Sequence, residues 1–131
     1  GGAILYEETL RQSTADGVPF VKVLNNLGIK VGIKVDKVFL YIFLITIKYK
    51  QYTNTHGLVD IPLTSGESAT QGLDGLDVKC KEYYEQGARF AKWRAVIKID
   101  RQQGHPSDLA IEETAHSLAR YAAICQAHGL V

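Results

Sequence analysis

"FAKWRAVIKID", Phe90 to Asp100, decides how this chain is read. Aromatics, Ala, Val and Ile without a turn residue describe a strand built for burial, yet Lys92 and Arg94 stand inside it. Side chains alternate across a strand, so Lys92 and Arg94 share one face, while Ala91, Trp93, Ala95, Ile97 and Ile99 share the other. "GIKVDK", Gly32 to Lys37, repeats the pattern, with Lys34 and Asp36 on one face and Ile33 and Val35 on the other. Strands with an apolar face and a charged end need both a core to pack on and a polar space to line.

Working outward, the segments alternate. "AILY" (Ala3 to Tyr6) reads as a strand, and "EETLRQ" as a turn or two of helix. A turn through Gly17 leads to "PFVKVLNN", a helix with Pro19 in its first turn, Phe20, Val23, Leu24 and Leu27 at helical spacing, and Gly28 as its stop. "IKVGIKVD" (Ile29 to Asp36) is the clearest strand. A loop with Pro62, Ser65 and Gly66 precedes a helix from about Leu73 to Gln86, whose apolar side is Leu73, Leu76, Cys80, Tyr83 and Tyr84. The strand from Arg89 to about Ile97 follows, and "GHPSD" turns the chain. A long helix runs from about Ser107 to Ala127, with Ile111, Ala115, Leu118, Ala122 and Cys125 as its expected buried stripe. Gly129 stops it, and Leu130 and Val131 open another strand. Strands alternating with helices predict parallel β/α architecture. Two hosts remain, a doubly wound open sheet and part of an eight-stranded barrel; no Gly-rich phosphate fingerprint follows a strand, which disfavours the dinucleotide-binding kind.

Bulk properties fit one globular domain: 131 residues, 46% hydrophobic, 22% charged. A net charge of +1 makes no broad basic field, so neither nucleic acid nor a membrane surface is an expected partner. Two cysteines make no disulfide framework, and both sit on expected buried helix stripes. The absence of methionine and the ending "HGLV" lead us to expect an internal piece of a longer protein.

If the charged faces meet, Lys34, Lys92 and Arg94 against Asp36 leave a net +2. Burying unpaired cations costs several kcal/mol each, so an anion should balance them. A phosphate ester carries about two negative charges and matches the guanidinium fork of Arg, which makes a phosphorylated small molecule the simplest ligand. Asp36 is expected to pair with Lys92 across the strands. A buried structural ion cluster is the competing reading.

The same residues carry a resemblance. "GGAILYEETL", "GIKVDK", "ATQGLDGL", "GARFAKWR" and "LARYAAICQ", in that order, resemble class I fructose-bisphosphate aldolase over nearly the whole chain except Val38 to His56. The resemblance implies part of a (β/α)8 TIM barrel over residues 1–131, roughly its second strand to the start of its fifth. It further implies reversible cleavage of fructose 1,6-bisphosphate to dihydroxyacetone phosphate and glyceraldehyde 3-phosphate in glycolysis, through a Schiff-base lysine, without a metal or other cofactor. A cytoplasmic location and a homotetrameric parent are implied as well. On this resemblance Lys34 and Arg94 contact the sugar-phosphate substrate, Asp36 supports the lysines, and Lys92 stabilises charge at the bond being cleaved. The Schiff-base lysine and the later carboxylates of the family fall outside this chain, so the isolated 131-residue chain is expected to be inactive and to fold poorly. A non-catalytic or moonlighting scaffold that binds anions or proteins is the alternative.

"VFLYIFLITIKYKQYTNTH", Val38 to His56, stands where the family passes directly from "DK" to "GLV". Its apolar run is about ten residues, short of the roughly 20 a membrane helix needs. It should be strand-like and aggregation-prone if ordered. A lineage-specific loop over the site and a translated intron are the two readings; the lack of Gly, Ala, Asp, Glu, Arg and Pro favours the intron. Glu112 and His116, one pair at i, i+4, read as a solvated helix face rather than a metal site.

Overall fold

The computed structural model describes residues 1–36 and 57–131. The predicted strand-like character of Val38 to His56 therefore lies outside the described residues. Strand β1 (Gly2–Leu5) leads into α1 (Glu7–Leu10), then α2 (Phe20–Asn26) and β2 (Lys30–Lys34). After the undescribed stretch come β3 (Leu58–Asp60), β4 (Ser68–Thr70), α3 (Leu76–Glu85), β5 (Phe90–Lys92) and α4 (Asp108–Ala127). Among the described residues, β1, β2 and β5 form a three-stranded parallel sheet with β2 in the centre, as the alternation of segments predicts. Parallel neighbours need a crossover, and the helices between these strands supply it.

The core lies against the apolar face of β2. Val31, Ile33 and Val35 meet Leu10 and Val21 from the first two helices, Leu76, Cys80 and Tyr83 from α3, and Cys125 from α4. The sheet is narrow enough at one point that only glycine fits. Phe90 pairs with Gly32, and its ring lies over Gly32 and Gly2, so a Cβ built on Gly32 would stand 2.2 Å from Phe90 Cε2. Gly28 and Gly129 stop their helices with φ of 71° and 75°, left-handed values that glycine adopts without penalty.

The sheet also extends past its last full strand. Ala91 N donates to the Val131 carbonyl at 2.9 Å, and Val131 N donates to the Arg89 carbonyl at 3.1 Å. Lys92 uses its own carbonyl for Val35 N at 3.1 Å. Successive residues of a strand face opposite edges, so Val131 sits on the edge of β5 away from β2. Leu130 and Val131 thus begin to add to the sheet, as read from the sequence.

Four details differ from the sequence reading. First, β5 ends at Lys92 rather than near Ile97. Among the described residues the last ladder contact between the two strands is made through Val35, and beyond it Ala95, Val96, Ile97 and Ile99 are exposed. Second, β3 and β4 pair as an antiparallel hairpin where only a loop was expected; at three residues each they are too short to show periodicity. Third, α3 starts at Leu76 rather than Leu73, after Gly75, although Leu73 still packs on the core. Fourth, the first half of α4 buries a different face. Ala110, Ser117 and Cys125 are buried, with Tyr121 and Ile124 packed on the core, whereas Ile111, Ala115 and Leu118 are exposed. The expected stripe holds at its end, where Cys125 is buried and Ala122 half-buried; over the first half of the helix the buried positions lie one residue earlier, about 100° around the helix. Small side chains at Ala110 and Ser117 let the helix approach β4 closely, and Tyr121 stacks on Trp93 with ring centroids 5.2 Å apart.

Candidate functional site

Lys34 is the last residue of β2 and Lys92 the last of β5, and the two are register partners. Register partners on adjacent strands point to the same face, so both ammonium groups leave the sheet on one side at its carboxyl end. Asp36 and Arg94 follow at the next same-face positions. Asp36 is the hub. Its side chain is fully buried, with Lys34 Nζ 2.9 Å from Oδ2 and Arg94 Nε 3.8 Å from the same oxygen. Lys34 also donates to the Asp36 carbonyl at 3.5 Å. Among the described residues neither carboxylate oxygen receives a well-directed hydrogen bond, so charge rather than donor geometry holds this group.

The expected pairing of Asp36 with Lys92 is replaced by pairing with Lys34 and Arg94. The reason lies in the backbone. Lys34 is two residues from Asp36 on the same face, and the register that pairs Lys34 with Lys92 brings Arg94 opposite Asp36 two residues further on. Among the described residues Lys92 makes no ion pair. The strands therefore bring together all four residues singled out from the sequence, three of them in direct charge contact.

Sequence reasoning missed several neighbours. Tyr6, just past β1, lies with its ring centroid 5.6 Å from Lys34 Nζ, a distance at which the ring face attracts the cation. Tyr6, Lys34 and Asp36 line a cleft of about 700 Å³ that also takes in Glu7, Lys79 and Tyr83. Burial raises the carboxyl of Glu7, but hydrogen bonds with Lys79 and Tyr83 and the nearby Lys79 and Arg11 charges prevail and hold its pKa below the ordinary value. Burial, followed by the Glu7 charge, pushes the Tyr83 phenol upward. A lone Tyr or Glu after a strand gives no spacing signal, so these contacts had no signature in the sequence.

A second polar cluster braces the hairpin behind the site. The Glu67 carboxylate is buried and accepts from Ser107 Oγ at 2.5 Å and Ser107 N at 2.8 Å, with His105 Nδ1 at 3.3 Å. The Ser107 hydroxyl also accepts from Ala110 N at 3.2 Å, capping α4. The hydrogen bond from the Ser107 side chain is the main reason that Glu67 stays below the usual carboxylate range. Thr70 Oγ1 of β4 in turn donates to the Arg94 carbonyl at 2.7 Å. Among the described residues no group of three His, Cys, Asp or Glu side chains is placed to hold a metal ion. Cys80 and Cys125 are buried with their sulfurs 3.8 Å apart.

The sequence matches the family described as "Glycolytic: Fructose-bisphosphate aldolase class-I" over residues 1–58 and 52–131. A fructose-bisphosphate aldolase from Dictyostelium discoideum is 56% identical over 131 residues, covering 100% of this chain and 31% of the relative. The relative named fructose-bisphosphate aldolase 1 from Toxoplasma gondii is 55% identical, covering 99% of this chain and 31% of its own length. A cytosolic relative from Arabidopsis thaliana, fructose-bisphosphate aldolase 6, is 52% identical over 99% of this chain and 30% of its own length. In solved structures, fructose-bisphosphate aldolase from Plasmodium falciparum, in complex with TRAP and a small-molecule inhibitor, superposes with a TM-score of 0.83. It is 54% identical, and the match covers 99% of this chain and 32% of that one. The chain spans about a third of the length of the curated relatives it matches.

Proposed function

The chain belongs to the class I fructose-bisphosphate aldolases, and from that membership we propose that it supplies one part of a (β/α)8 TIM barrel, roughly the second strand to the start of the fifth, in an enzyme that reversibly cleaves fructose 1,6-bisphosphate to dihydroxyacetone phosphate and glyceraldehyde 3-phosphate in glycolysis. The observation that carries this reading is the convergence of Lys34, Asp36 and Arg94, with Lys92 beside them, at the carboxyl end of adjacent parallel strands. In parallel barrels that end is where reactive groups gather.

In this reading the roles follow from placement. Lys34 and Arg94 present cationic donors to the phosphorylated substrate, Arg94 through a fork suited to phosphate or hydroxyl oxygens. Asp36 fixes the Lys34 ammonium and draws in Arg94, keeping both aimed at the substrate without an external anion. Lys92 stabilises the negative charge that develops at the hydroxyl oxygen as the carbon–carbon bond breaks. The electron pair of that bond is accepted by a Schiff base on a lysine outside this chain. Metal ions and other cofactors have no part in the proposed reaction. A homotetramer in the cytoplasm is the proposed setting.

Cleavage of fructose 1,6-bisphosphate by the complete protein tests the reading. Borohydride added with dihydroxyacetone phosphate should trap the Schiff base and abolish activity. Lys92→Met should lower kcat by roughly 10²-fold or more, as expected for loss of an electrostatic group acting at the reacting bond. Activity unaffected by borohydride, or by Lys92→Met, would refute it. The isolated 131-residue chain should show no turnover.

Residues 38–56 are proposed as an insertion foreign to the family within this domain. The lack of Gly, Ala, Asp, Glu, Arg and Pro in this stretch supports the reading. Mass spectrometry of the natural protein decides: peptides from within 38–56 establish a translated loop, and a peptide running directly from Lys37 to Gly57 establishes an intron.

A further inference from the structure

We infer that Thr70 is a positioning residue for Arg94. Arg94 lies two residues beyond the end of β5. The hydroxyl of Thr70 reaches across and donates to the Arg94 carbonyl at 2.7 Å. Thr70 is well suited to this task because its own backbone is held. It pairs with Leu58 in the β3–β4 hairpin, and Gln71 N next to it bonds the Gly57 carbonyl at 2.6 Å. The hairpin is tied in turn to the start of α4 through the bonds of Glu67 to Ser107. A rigid path thus runs from the capped end of α4, through Glu67 and Thr70, to the backbone that carries the Arg94 guanidinium toward Asp36. Without the Thr70 hydroxyl, the Arg94 carbonyl loses this bond to the hairpin.

This role rests on Arg94 binding substrate, as proposed above. The test uses the complete protein with Thr70→Val, which keeps the shape and removes the donor, Thr70→Ser, which keeps the donor, and Arg94→Ala, alone and combined with Thr70→Val. Thr70→Val is expected to raise KM for fructose 1,6-bisphosphate about five- to tenfold with a smaller change in kcat, the scale of one lost net hydrogen bond. Thr70→Ser should restore most of the loss. In the Arg94→Ala background, Thr70→Val should have little further effect, because the hydroxyl acts through the arginine. Unfolding midpoints of the variants separate this from simple destabilisation. Full additivity with an impaired Arg94→Ala protein, or failure of Thr70→Ser to rescue, would overturn the role of Thr70 while leaving the reading of Arg94 intact. A fully active Arg94→Ala protein would overturn both.

Discussion

Asp36→Asn should destabilise the protein far more than an ordinary carboxylate change. The Asp36 side chain is fully buried, and the Lys34 side chain opposite it is only 12% exposed. At 2.9 Å and an effective dielectric of about 20, the attraction to Lys34 is about 6 kcal/mol; at 3.8 Å the attraction to Arg94 is about 4 kcal/mol. Desolvation of these groups offsets much of that attraction in the native state. Removing only the carboxylate charge keeps the desolvation of Lys34 and loses the compensation. Removing one partner of a buried pair costs about 3–5 kcal/mol. The low end applies, because the Asp36 carbonyl still accepts from Lys34 and Arg94 is one-third exposed. Urea unfolding of the complete protein, followed by circular dichroism, gives the measurement. Glu7→Gln is the control, since Glu7 meets Lys79 at 3.1 Å but both side chains are 40–50% exposed, and such pairs contribute about 1 kcal/mol or less. Lys34→Met combined with Asp36→Asn should be more stable than Asp36→Asn alone, because the orphaned charge is gone. The reasoning fails if Asp36→Asn costs no more than Glu7→Gln, or if the double variant is the less stable.

Glu67 makes a pH-dependent contribution. Its folded pKa lies below the ordinary 4.5, so the stability it adds is present above that value and is lost as pH falls through the folded pKa. Glu67→Gln should therefore lower the urea midpoint at neutral pH and flatten its decline below about pH 5; an unchanged acid limb would contradict the assignment. Gly32→Ala should cost about 1–3 kcal/mol, because the added Cβ would stand 2.2 Å from the Phe90 ring, and Phe90→Leu in the same chain should recover part of the loss. A neutral Gly32→Ala would show that the ring gives way without cost.

Much of the fold was legible because the long elements repeat their signals. The helix from Ser107 to Ala127 has a serine cap at one end and a glycine stop at the other, and it forms over Asp108–Ala127. "GIKVDK" and "FAKWR" announced their charged positions by strict alternation, and the four residues do gather at one end of the sheet. What failed to show was anything set by partners distant in sequence. The face that the first half of α4 buries was misjudged because Ile111 and Leu118 outweigh Ala110 and Ser117 in hydrophobicity, yet small side chains permit close approach to β4. The end of β5 depends on where β2 stops, not on the strand character of Val96, Ile97 and Ile99.

The sequence by itself determined the order of the parallel strands and the helices, the family, and the four charged positions, since these rest on local alternation, capping residues and contiguous motifs. Only the tertiary structure decided that Asp36 holds Lys34 and Arg94 rather than Lys92, and that Tyr6 and Thr70 stand beside them. Ion pairing and hydrogen bonding depend on separations of a few ångströms between residues up to 58 positions apart, as for Asp36 and Arg94. No periodicity along the chain encodes such distances; they are set when the strands find their register and the hairpin closes against α4.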